Sequence, residues 1–275
     1  MSLAIAGKTV TFAKIGNKPI SFMRIDEDQV FSTAAPGVGV MYMAGIITDK
    51  LYTVDLTTGV ATVVNTSSLG VLGQIAYEGT YIYYMQELLS GSVLQDQLWR
   101  LELSSGSARR IGSSRVFGIS SWNRQSVRGS AIIYDGSAMH WAGGPSGQKR
   151  YGTIDLGNGR VRLIGGSSAA GYGLSAGVTS IAFVGSTLYA SSGSYLFTID
   201  TATGLGTRVG SADNWGVSEV WMRGLAYNGV NLYGVGDSGQ GLYTINTSTG
   251  VASRAGTATQ FGVGERLGSL SWAAG

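Results

Sequence analysis

The chain has 275 residues, 44 of them glycine, with 14 tyrosines, one histidine, no cysteine and a formal net charge of +3. The missing cysteines exclude disulfides, zinc–thiolate centres and cysteine nucleophiles, and a single histidine excludes a multi-histidine metal site, so no metal or cofactor is expected. Only 13% of residues are charged, and the basic ones are spread along the chain rather than gathered in a run, which argues against nucleic-acid binding.

Taken in chain order, residues 1–37 stand apart. Thr9–Phe12 and Ile20–Phe22 flank the turn residues Gly16–Pro19, which predicts a β-hairpin. The acidic group Asp26-Glu27-Asp28 follows. Met1–Lys8 lacks the basic start and long apolar stretch of a secretory leader, so no signal peptide is expected. No apolar run has the length of a membrane-spanning helix, and membrane insertion is not expected either.

From residue 38 onward the chain repeats. One block reads Leu51–Asp55 then Gly59, Leu98–Glu102 then Gly106, Tyr151–Asp155 then Gly159, Leu196–Asp200 then Gly204, and Leu242–Asn246 then Gly250. A second block reads Ile75-Ala76-Tyr77, Ile132-Ile133-Tyr134, Ile181-Ala182-Phe183, Leu225-Ala226-Tyr227 and Leu270-Ser271-Trp272. The first four copies of the second block are followed by another ring, at Tyr83, His140, Tyr189 and Tyr233. The fifth finds its counterpart, Met41-Tyr42, near the other end of the chain. Each unit therefore predicts four strands, exemplified by Gly224–Tyr227 (A, innermost), Asn231–Val235 (B), Leu242–Asn246 (C) and Val251–Arg254 (D). The Asx-x-x-x-Gly step between C and D is turn chemistry, and no segment has helical periodicity. The expected fold is all-β: a five-bladed β-propeller over 38–275, closed by a blade split between the two ends of the repeat region. Residues 1–37 form an N-terminal hairpin that serves as a docking arm; counting it as part of a sixth blade is the alternative.

The recurring Leu-Tyr-Thr-Ile-Asp-x-x-Thr-Gly, Val-Gly and Gly-Leu-Ala-Tyr-x-Gly-x-x-Leu-Tyr-Gly elements resemble repeats of bacterial surface and phage-encoded propeller proteins. That resemblance implies a non-catalytic recognition or structural module of a surface-exposed assembly, such as a phage tail or capsid decoration. It implies partners among glycans or proteins of a cell surface, or neighbouring structural subunits, and is compatible with a homo-oligomer. The expected location is a virion or an extracellular surface. A cell-surface lectin-like protein and a glycosidase-like propeller enzyme are the alternatives.

Loops entering strand A and joining B to C share one face, where propeller ligands sit. That face is expected to gather Trp122, Arg124, Arg128, Trp215, Glu219, Trp221, Arg223, Glu265 and Arg266. Tryptophan over a sugar ring with Arg and Glu hydrogen bonding would suit a glycan; the same tryptophans could instead plug the ring as core. The B–C segment Glu87–Asp96 is expected to be the longest loop there. Glycoside hydrolysis needs two facing carboxylates, yet the A strands supply apolar residues, with acids near their starts only at Glu219 and Glu265. No catalytic residue is assigned. Gly173–Gly177 matches G-x-S-x-G without a following helix or a downstream histidine, and Gly234–Gly239 matches a dinucleotide fingerprint but leads into a strand. His140 stands where other copies carry tyrosine and is expected to be structural. The arginines of the D strands, Arg109, Arg110, Arg160, Arg162, Arg208 and Arg254, are read as protection of exposed edges.

Overall fold

A computed structural model describes residues 2–5, 8–11, 39–45, 50–65, 72–90, 93–112, 131–143, 150–165, 177–211, 215–219, 221–236, 241–257, 261–263 and 266–273. Among these residues there is no helix.

Strands β1 (Ser2–Ile5) and β2 (Lys8–Thr11) form a two-stranded antiparallel sheet with Ile5 opposite Lys8. A hairpin is thus present, formed by a strand pair that the sequence reading did not name. The strand expected at Thr9–Phe12 pairs with Ser2–Ile5 across Ala6-Gly7, the two-residue spacing preferred by hairpins. Residues 12–38, including Ile20–Phe22, lie outside the described residues.

Five four-stranded sheets follow. Blade I joins β3 (Val40–Gly45), β4 (Leu51–Val54) and β5 (Ala61–Asn65) to the last strand, β22 (Leu267–Ala273). Blade II is β6 (Leu72–Tyr77), β7 (Tyr81–Ser90), β8 (Val93–Glu102) and β9 (Ala108–Arg110). Blade III is β10 (Ala131–Tyr134), β11 (Met139–Gly143), β12 (Arg150–Ile154) and β13 (Val161–Ile164). Blade IV is β14 (Val178–Val184), β15 (Thr187–Ser192), β16 (Tyr195–Ile199) and β17 (Gly206–Arg208). Blade V is β18 (Met222–Tyr227), β19 (Leu232–Gly236), β20 (Leu242–Ile245) and β21 (Ala252–Arg254). Every neighbouring pair within a blade is antiparallel.

The A strands β6, β10, β14, β18 and β22 touch in that cyclic order, and β22 touches β6 again. The molecule is therefore a closed five-bladed β-propeller. Closure runs through blade I, where Ser271 lies opposite Tyr42 and Trp272 opposite Met41. The buried hydrophobic residues form five clusters, one at each blade junction. Met41, Met43 and Tyr52 of blade I, for example, meet Tyr233, Val235 and Leu242 of blade V.

An A strand has an edge facing the next blade, and serines satisfy part of it. Ser269 and Ser271 of β22 accept the Ile75 and Tyr77 N–H groups of β6, each at 2.8 Å. Ser180 of β14 accepts Leu225 N–H of β18 at 2.8 Å. Each hydroxyl stands in for a strand that the ring geometry does not supply.

The C–D turns follow their expected chemistry. Asp55, Asp200 and Asn246 each accept two backbone N–H groups with one side-chain oxygen, at 2.7–3.0 Å. The glycine that follows a D strand has a different task. Gly210 has φ +66°, and a Cβ there would lie 2.2 Å from the Thr249 carbonyl oxygen, in the C–D turn of the next blade. Gly112, Gly165 and Gly256 repeat this contact against Asn158, Thr203 and Thr58. The Val-Gly element of the repeat is thus an inter-blade joint.

The segment Glu87–Asp96, expected as a loop, is ladder instead. β7 and β8 continue pairing through Glu87↔Asp96 to Ser90↔Val93, so blade II carries a two-stranded extension.

Candidate recognition face

The two ends of the ring differ. At one end lie the A–B and C–D connections, all short; the A–B connections run from two residues at 185–186 to four at 135–138 and 228–231. At the other lie the D–A and B–C connections, which range from two residues at 193–194 to twenty at 111–130. Uniform turns serve the scaffold, whereas length variation on one face is where repeat proteins place specificity.

At the variable end, the described residues 209–211, 215–219 and 221 include three of the sequence-predicted residues, Trp215, Glu219 and Trp221. Trp215 is 0% exposed, packed among Met222, Leu225 and Tyr243 of blade V and Leu196 of blade IV. Its indole N–H donates to Gly193 O at 3.3 Å, and its carbonyl accepts Ala252 N–H of β21 at 2.7 Å. It thus belongs to the core between blades IV and V and has no surface for a ligand. Glu219 is also buried, at 8% exposure. It accepts the Tyr243 hydroxyl at 3.2 Å and rests against Gly236, where a Cβ would lie 2.1 Å from the Glu219 carboxyl carbon. Burial first, and then the Glu219 charge, raise the Tyr243 phenol above its ordinary value.

Trp221, two residues on, is 45% exposed. The chain is therefore pinned at Trp215 and Glu219 and shows a large aromatic at the start of β18. Arg223 is half-buried, and its carbonyl accepts Gln74 Nε2 at 3.0 Å. Gln74 also accepts Ser269 Oγ at 3.3 Å. Arg266 is exposed at the start of β22. A Cβ on Gly224 would lie 2.8 Å from Leu270 N and 3.0 Å from Gly268 O, so β18 and β22 run close together at that level. Trp221 and Arg266 each stand six residues before the recurring aromatic of their strand, Tyr227 and Trp272. They are therefore level on neighbouring inner strands at one mouth of the ring. Arg128 has the same place in its repeat, but Trp122, Arg124, Arg128 and Glu265 lie outside the described residues.

At the opposite end, His140 sits in a hydrogen-bonded chain that the sequence did not reveal. Its Nε2 is 2.8 Å from Asp135 Oδ2 and its Nδ1 is 2.5 Å from the Tyr151 hydroxyl. The imidazole stacks on Tyr151 and meets Phe183 edge-on. Burial opposes ionisation of Asp135, but the Ala138 N–H, the His140 ring and the Ser137 N–H and hydroxyl outweigh it, holding the carboxyl well below its usual range. Burial, then the Asp135 charge, push the Tyr151 phenol up. Tyr151 is 1% exposed, so this chain of groups fastens β11 to β12 and the A–B turn and presents no nucleophile. The rim arginines are spread over four blades, with Arg109 and Arg110 together on blade II and Arg160 and Arg162 together on blade III, and Arg208 and Arg254 cover Tyr195 and Tyr243 at 4.0 and 5.6 Å from the ring centroids.

No protein family and no curated protein matches the chain. Solved structures do. A structure of a nidogen/laminin complex aligns with 86% of this chain and 98% of its own, at 12% identity and a TM-score of 0.52. A protein of unknown function from Bacteroides thetaiotaomicron aligns with 82% of this chain at 17% identity and a TM-score of 0.51, and this chain spans 60% of its length. Likeness at this level establishes the class, a β-propeller, and reaches no further; the repeat resemblance read from the sequence holds for the fold, without a repeat family to attach it to.

Proposed function

We propose that this propeller is a non-catalytic recognition module that engages a protein partner through its variable face, centred on Trp221. The observation that carries this reading is the anchoring of the chain at 215–219, just ahead of β18. Two buried side chains, Trp215 and Glu219, hold it, while Trp221 stays 45% exposed beside them. A half-exposed tryptophan next to buried neighbours gives contact area of the kind on which interface hot spots are built. Glu219, one of the acids that a glycosidase mechanism would draw on, is turned inward onto Tyr243 instead. In this reading the segment 1–37 attaches the ring to a larger surface-exposed assembly, of which a phage particle is one form; deleting it should leave a folded ring that no longer assembles.

Affinity capture from cell and culture-supernatant fractions tests the face. Wild type and Val230→Asp, altered at the opposite end where Val230 is 78% exposed, should retain the same species, and Trp221→Ala should lose it. Equal retention by all three, or retention by none, refutes the reading.

A further inference from the structure

We propose that Asn228 is a site of spontaneous covalent modification: attack by the Gly229 backbone nitrogen expels ammonia and leaves an aspartyl residue in the folded ring, independently of the recognition face. The chain has two Asn-Gly steps, Asn158-Gly159 in the C–D turn of blade III and Asn228-Gly229 in the A–B turn of blade V. Glycine carries no side chain, so the attacking nitrogen is unhindered in both. Their surroundings are opposite. At Asn158 both reacting groups are tied. Gly159 is buried and its N–H donates to the Asp155 carbonyl at 2.7 Å, while Asn158 Nδ2 donates to Asp155 Oδ2 at 2.6 Å. At Asn228 both are open. Gly229 is exposed, nothing lies within 4 Å of its Cβ position, and among the described residues nothing accepts the Gly229 N–H or the Asn228 side-chain N–H groups.

The turn also supplies the electrostatics of the step. Asn228 Oδ1 accepts the Val230 and Asn231 N–H groups at 2.9 and 2.8 Å. The Gly229 nitrogen, its proton given up to solvent base, bonds to Asn228 Cγ. The carbonyl electron pair moves onto Oδ1, and the two amides stand where that oxyanion forms. The Cγ–Nδ2 bond then breaks, ammonia leaves with a proton taken from water, and a cyclic imide closes on the main chain. Water opens the imide at Cγ to aspartate, or at the backbone carbonyl to isoaspartate, which adds a methylene to the main chain. The aspartate has a template in the same molecule. Asp135, in the matching turn Tyr134-Asp135-Gly136 of blade III, accepts the Ser137 and Ala138 N–H groups with Oδ1, each at 2.7 Å. An aspartate at position 228 therefore keeps the turn and adds one negative charge to the short-turn end. Isoaspartate lengthens the connection between Tyr227 and Leu232, which face each other across it.

The test holds the full chain at mildly alkaline pH, folded in buffer or unfolded in guanidinium, and follows both asparagines by mass spectrometry of proteolytic peptides. In the folded chain Asn228 should convert about tenfold or more faster than Asn158, because reaction at Asn158 must first break its two hydrogen bonds to Asp155. Once the chain is unfolded, the two should convert at like rates. Gly229→Ala should slow conversion at Asn228, since its methyl crowds the attacking nitrogen, and Asn228→Asp should keep the wild-type urea midpoint. Equal rates at the two sites of the folded chain, no conversion at Asn228 there, the same preference persisting after unfolding, or an unchanged rate in Gly229→Ala overturns the proposal. A lowered midpoint in Asn228→Asp overturns the claim that the turn survives the change.

Discussion

Replacing Gly210 by alanine perturbs one joint of the ring and leaves every apolar cluster untouched. At φ +66°, an L side chain costs about 1–2 kcal/mol in left-handed backbone. The new Cβ would also lie 2.2 Å from the Thr249 carbonyl oxygen. Ordinary contact is about 3.5 Å, and the opposing atom is backbone, so blades IV and V must separate locally at an overpacking cost of about 1–3 kcal/mol. The sum is about 3 kcal/mol, or roughly 6–10 °C in melting temperature for a chain of this size. Gly229→Ala is the control: its φ is +92° and nothing lies within 4 Å of its Cβ, so it should lose only the backbone part, about 1–2 kcal/mol. Urea unfolding followed by tryptophan fluorescence measures both. Equal losses in the two variants would show that Gly210 is there for its conformation alone and that the inter-blade joint carries no load.

Trp215→Ala should destabilise by about 3–5 kcal/mol through the void it leaves, whereas Trp221→Ala should stay within about 0.5 kcal/mol of wild type in the same urea titration. Ser269→Ala removes the acceptor of the buried Ile75 N–H and should cost about 1–3 kcal/mol, with faster amide exchange at Ile75. Asp135→Asn should cost about 1 kcal/mol at neutral pH, a figure kept small because the carboxyl is partly solvated. Asp135 is held below its unfolded value of 3.8, so its contribution is present above about pH 4 and is lost as pH falls through the folded value. The difference between wild type and variant should therefore shrink in acid, and a constant difference from pH 7 to pH 2 would refute it.

The scaffold was legible because its periodic elements carry local chemistry. Asp55, Asp200 and Asn246 mark their turns by side-chain caps that need no distant partner, and the last aromatic block, lacking a second ring after it, pointed to Tyr42 and so to the split blade. Other features depend on contacts no short window holds. Glu87–Asp96 mixes charges with paired leucines, which hides the alternation of a strand although the ladder persists to Ser90↔Val93. The first hairpin could be placed on its second strand, but Ser2–Ile5 gives no turn signal stronger than Gly16–Pro19. In the recognition face, Trp215 and Trp221 are six residues apart in one irregular segment. Only the remote Gly193 carbonyl and Ala252 amide decide that one is core and the other surface. Gly236 entered the sequence reading as part of a spurious phosphate-binding match; its role is to leave room for Glu219.

The split of blade I also orders events on the ribosome. β3–β5 emerges early, but its partner β22 follows only after about 200 further residues, a delay of roughly 10–40 s at ordinary synthesis rates. Through that interval the edge of β3, with Met41 and Met43 beside it, has no partner strand. The first blade made is the last to be finished, so the newborn ring holds an open β edge until β22 arrives.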